Sequence, residues 1–80
     1  MINEFKDIIV KYFEAQGKII QKDDIVLLFY EEIKGYARGF FETTLPNFEY
    51  YEVIFDGFNS EFSLDVYQRT RTCKVTRNEE

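Results

Sequence analysis

The sequence predicts an α+β fold: two amino-terminal helices, the second long or broken at Gly35 and Gly39, packed on a carboxy-terminal antiparallel β-hairpin or small sheet. Three observations carry that expectation. Phe5, Ile8, Ile9, Tyr12 and Phe13 recur at helical steps, and so do Ile25, Leu28, Phe29, Ile33, Tyr36 and Phe40 within residues 24–42. Beyond Pro46 the apolar pattern changes from helical to alternating.

The first helix is expected over residues 3–16, with Asn3 as its cap and Gly17 as its left-handed stop. Glu4, Lys6, Asp7, Lys11 and Glu14 fall opposite the apolar stripe. Residues 18–21 (KIIQ) are too short for a helix and too apolar for a free loop. They read as an extended connector or an edge strand. Asp23 or Asp24 then caps the second helix, which Pro46 ends by biasing Leu45 away from helical geometry. Each glycine inside it costs about 1 kcal/mol against alanine, so Gly35 and Gly39 either break the helix or serve close packing.

Residues 48–57 and 61–75 read as the two strands of a hairpin. A two-residue turn at Asp56-Gly57 would set Glu52 against Glu61, a like-charge pair costing roughly 0.2–1 kcal/mol. A turn at Asn59-Ser60 instead pairs Gly57 with Phe62, Phe55 with Leu64, Val53 with Val66 and Tyr51 with Gln68, and is preferred for its apolar face. Residues 72–80 are then left without a partner in the hairpin. A winged-helix arrangement is the rival architecture, with residues 36–44 as a recognition helix that offers DNA only Arg38 and carries Glu42.

At 80 residues the chain is read as one domain, with 76–80 as a frayed tail. Nine Phe and six Tyr supply enough buried area for a small core without disulfides. Cys73 is the lone cysteine, and no apolar run reads as a signal peptide or membrane span, so a cytoplasmic, membrane-free protein is expected. Histidine is absent, which removes the commonest metal ligand and the commonest general base. No phosphate loop, zinc spacing or nucleophile elbow is present, and the reading is non-enzymatic, with no cofactor and no metal. Glu32 reads as a rim residue paired with a lysine or arginine, and Cys73 as a strand residue without special chemistry.

The net charge of −5 is unevenly spread. Residues 1–65 hold thirteen acidic against six basic residues, whereas Arg69, Arg71, Lys74 and Arg77 face only Glu79 and Glu80 in the remainder. The leading functional reading is a small acidic module that docks on a protein partner as an inhibitor or regulator, the partner being one that handles nucleic acid. Its site is the outer hairpin face of Tyr50, Glu52, Ile54, Asp56, Asp65 and Tyr67, where aromatic anchors sit among steering carboxylates. A solvated sheet face is the plain alternative. Size and composition suit a small phage-type protein, and a homodimer is left open. The alternative function is nucleic-acid binding through Arg69, Arg71, Lys74 and Arg77, with Tyr67 beside them.

Overall fold

The computed structural model describes residues 1–46 and 49–68. One helix, α1 (Ile2–Ala15), is followed by a 3-10 turn (Lys22–Asp24) and four strands: β1 (Ile25–Ile33), β2 (Tyr36–Thr43), β3 (Glu49–Asp56) and β4 (Glu61–Gln68). The strands form an antiparallel sheet in the order β1-β2-β3-β4. The second helix does not exist, and with it fall both the two-helix fold on a hairpin and the winged-helix rival. Its residues make the β1–β2 hairpin instead.

The correction has local causes. The stretch is dense in β-branched and aromatic residues, which favour a pleated surface. Gly35 adopts φ +85° in the turn between β1 and β2, a conformation an L side chain resists. Its φ is what a tight hairpin needs, whereas a helix interior has no use for it. The change of period inverts most of the expected faces. Phe29 (47% exposed) and Ile33 (60%), expected in a helical core stripe, are open to solvent, while Phe41, which is not part of that stripe, is fully buried. A bulge at Leu28 contributes, because Leu27 pairs with Phe41 and Phe29 with the adjacent Phe40.

The first helix agrees closely with expectation. Its buried face is Phe5, Ile9 and Phe13 at steps of four, and it stops at Gly17, φ +77°. The amides of Gly17 and Lys18 return to the carbonyls of Glu14 and Phe13, each at 2.9 Å. Asn3 lies inside the first turn and does not cap it. The connector 18–21 forms no strand, and only Ile20 of its two isoleucines is buried. Asp24 caps no second α-helix and instead closes the capping box of the 3-10 turn. It accepts from the Gln21 amide (3.2 Å) and the Thr44 hydroxyl (3.3 Å), tying the start of β1 to the end of β2.

The β3–β4 register falls two residues from the preferred one, with Phe55 opposite Phe62, Val53 opposite Leu64 and Tyr51 opposite Val66. Residues 57–60 all belong to the turn, and the Asp56 carboxylate closes it by accepting from the amides of Phe58 (2.9 Å) and Asn59 (3.3 Å) and the Asn59 side chain (2.8 Å). A shift of two conserves side-chain parity, so every described residue of β3 and β4 keeps its expected face.

Helix α1 covers one face of the sheet, where Tyr51, Val53, Phe41 and Ala37 are buried beneath it. Phe5 lies at the centre, its ring 6.3 Å from Phe41, 6.1 Å from Tyr30 and 6.0 Å from Phe62. Gly39 makes the room: a β-carbon there would come within 2.6 Å of the Phe41 ring and 2.8 Å of the Phe5 ring. Gly39→Ala is therefore expected to destabilise by about 1–3 kcal/mol through overpacking, and Phe5→Ala by about 3–5 kcal/mol through the cavity it leaves. Thermal and denaturant unfolding check both, and an unchanged midpoint in either variant would contradict this packing.

A candidate protein-binding face on the open side of the sheet

Among the described residues nothing packs on the side of the sheet opposite α1. Alternation brings Phe29 and Glu31 of β1 to that side, with Arg38 and Phe40 of β2, Tyr50, Glu52 and Ile54 of β3, and Asp65 and Tyr67 of β4. Each is set beside its neighbour by the register: Phe29 opposite Phe40, Phe40 opposite Glu52, Glu52 opposite Asp65, and Tyr50 opposite Tyr67.

Arg38 is the hub of the centre. Its guanidinium reaches Glu31 at 2.9 Å and Glu52 at 3.5 Å, and lies 5.7 Å from the centroid of the Phe29 ring. Glu52 also accepts from the Tyr67 hydroxyl at 2.8 Å, and that bond, aided by desolvation, raises the Tyr67 pKa above its ordinary 10.0. Phe40 stacks on Tyr50 with centroids 6.3 Å apart and meets Tyr67 edge-on at 5.8 Å. A shallow depression of about 190 Å³ opens between Phe29, Arg38, Phe40 and Glu52. A second, of about 170 Å³, lies between Glu31, Ile33, Tyr36, Ala37, Arg38 and Ile54. Both fall below the roughly 300 Å³ at which small-molecule sites begin, so each suits a single protruding side chain.

The six residues predicted as a protein-binding set, Tyr50, Glu52, Ile54, Asp56, Asp65 and Tyr67, do share this face. Asp56 is occupied in holding the turn. Its carboxyl is pulled below the usual range by the Asn59 side chain and by the Phe58 and Asn59 amides, with desolvation working the other way. The sequence reading missed Phe29, Glu31, Arg38 and Phe40, because it placed them on a helix. The Lys34-Gly35 dipeptide between two aromatic, β-branched runs was the signal that could have found them. Arg69, Arg71, Lys74 and Arg77, the alternative nucleic-acid set, lie outside the described residues, as do Cys73 and the tail.

On the helix side, Glu32 does not pair with a base among the described residues. It accepts from the Tyr30 hydroxyl at 2.6 Å, which pushes that phenol up to about 12. Among the described residues no three Asp, Glu, His or Cys side chains gather as a metal site, and no helix is long and apolar enough to cross a membrane.

The fold and this face together define a small α+β domain with one covered and one open sheet surface. The chain belongs to a family of unknown function (DUF6275), whose model matches residues 2–77. No curated protein and no solved structure matches it.

The phenol shifts give a pH test. A pKa raised on folding contributes stability that is complete below the ordinary 10.0 and is lost as pH rises through the folded value, about 12 for Tyr30. Denaturant unfolding followed from pH 9 to above pH 12, on the order of the tyrosine range, is expected to show a fall that is smaller in Glu32→Gln. Ultraviolet titration of tyrosinate in Glu52→Gln should bring Tyr67 back toward its ordinary pKa. A Tyr67 titration indifferent to Glu52→Gln would remove the hydrogen bond as its cause.

Proposed function

We propose that this protein is a non-enzymatic module that docks on another protein through the open face of its sheet and acts there as an inhibitor or regulator. The observation that carries the reading is an aromatic cluster on the open face, Phe29 and Tyr67 exposed and Phe40 and Tyr50 partly so, set among the carboxylates of Glu31, Glu52 and Asp65. Large rigid rings give contact area at little entropic cost, and charges around them steer encounter and fix orientation. Exposed apolar side chains gathered on one face mark an interaction site more often than scattered ones do. The depressions on the face take a side chain and are too small for a metabolite. The nucleic-acid alternative rests on Arg69, Arg71, Lys74 and Arg77 in the sequence, and no feature of the open face favours it.

The test is capture from lysate with the folded protein as bait, with and without nuclease. A specific protein is expected that survives nuclease and is lost from Tyr67→Ala, weakened by about 30-fold if Tyr67 is an anchor worth about 2 kcal/mol. Capture that vanishes with nuclease would transfer the function to the basic carboxy-terminal segment.

A further inference from the structure

We propose that the partner presents a basic surface, and that an arginine of that surface seats between Glu52 and Asp65, against the rings of Phe40 and Tyr67. The proposal rests on the docking reading above and names the chemistry of its occupant.

The face carries two like-charge pairs placed directly opposite each other on β3 and β4, Glu52 with Asp65 and Asp56 with Glu61. Each such pair costs roughly 0.2–1 kcal/mol in the free protein. Asp56 is absorbed by the turn, and Glu52 is partly satisfied by Arg38 and Tyr67. Asp65 is exposed and has no ion-pair partner among the described residues. A cation lowered between Glu52 and Asp65 would be attracted by both carboxylates.

The chain itself shows the geometry. Arg38 sits over the ring of Phe29 with Glu31 on one side and Glu52 on the other. The same ingredients, aromatic rings and two carboxylates, recur one strand further along as Phe40, Tyr67, Glu52 and Asp65, there without a cation among the described residues. Guanidinium is favoured over ammonium, because its plane stacks on a ring and its fork donates to two carboxylates at once. Charge also excludes the other occupants of such a face. Glu31, Glu42, Glu52, Asp56, Glu61 and Asp65 share it with Arg38, so a nucleic acid would be repelled. Face-to-face packing of a second copy would set the same carboxylates against each other.

The experiment titrates isotope-labelled protein with an oligoarginine peptide, with oligolysine and oligoglutamine peptides of equal length as comparisons, and follows backbone amides. The expected shifts are at Phe40, Glu52, Asp65 and Tyr67, with oligoarginine binding tighter than oligolysine and oligoglutamine silent. Affinity for oligoarginine is expected to fall about tenfold or more in Glu52→Gln/Asp65→Asn. It should be unchanged in Glu14→Gln/Asp23→Asn, which removes the same charge away from the face. Circular dichroism confirms that both variants fold. Absence of binding, shifts located elsewhere, or equal loss in the two double variants would overturn the proposal. So would a dimer that dissociates on Arg69→Ala/Arg71→Ala, which would assign the slot to the basic segment of a second copy. A captured partner that depends on Tyr67 but is not displaced by oligoarginine would overturn the arginine assignment and leave docking standing. A captured partner indifferent to Tyr67 would overturn both.

Discussion

The seat of Phe5 over Gly39 is the contact on which the rest of the structure depends. A four-stranded antiparallel sheet has two faces open to packing until something covers one of them. The helix can lie close only where the strand beneath it has no side chain, and β2 supplies that gap at its centre. Once Phe5 is down, Ile9 and Phe13 follow along the same helix face, and Phe13 meets Tyr51 at 5.6 Å. Tyr51 is fully buried, yet its hydroxyl is satisfied by Glu49 at 2.6 Å, so the core takes in a phenol without an orphaned donor. The open face is defined by this choice, since its residues are those whose parity is opposite to that of Gly39, Phe41 and Tyr51.

That dependence explains which parts of the fold were legible. Helix α1 announces itself because its apolar residues admit only the helical period and a glycine follows at its end. The outer set on β3 and β4 was legible because parity survives a register error of two residues. The length of the turn was not, because Asp56 acts through its side chain on the amides of Phe58 and Asn59, an interaction that a rule built on dipeptides does not contain. Residues 25–43 misled for a deeper reason. They are apolar on both faces of a strand, since one face meets the helix and the other is the aromatic surface, and a run apolar on both faces has no clear period of two. The bulge at Leu28 then shifts the phase between Leu27 and Phe29, so the remaining alternation is broken where it would have been diagnostic.

The misreading and the site share a cause. Phe29, Ile33, Tyr36 and Phe40 looked like a core stripe because they are as apolar as a core stripe. With one helix among the described residues to cover the sheet, they have no core to enter. A sequence that kept this face merely wet would need polar residues at these positions and would then have shown clean alternation. Local rules are broken together here: rings without cover, carboxylates directly opposed, and a single arginine drawn between two of them.

Arg38 makes the conflict tolerable in the free protein. Without it, Glu31 and Glu52 would crowd the middle of the face. With it, the centre is neutralised while the β4 side, from Asp65 to Glu61, stays acidic. The face is thus divided into a satisfied half and an unsatisfied half that meet at Glu52, whose carboxylate is held by Arg38 from β2 and by Tyr67 from β4. A group held from both sides is poorly free to swing away from Asp65, which faces it directly across β3 and β4. Carboxylates set side by side in this way favour a ligand that brings positive charge.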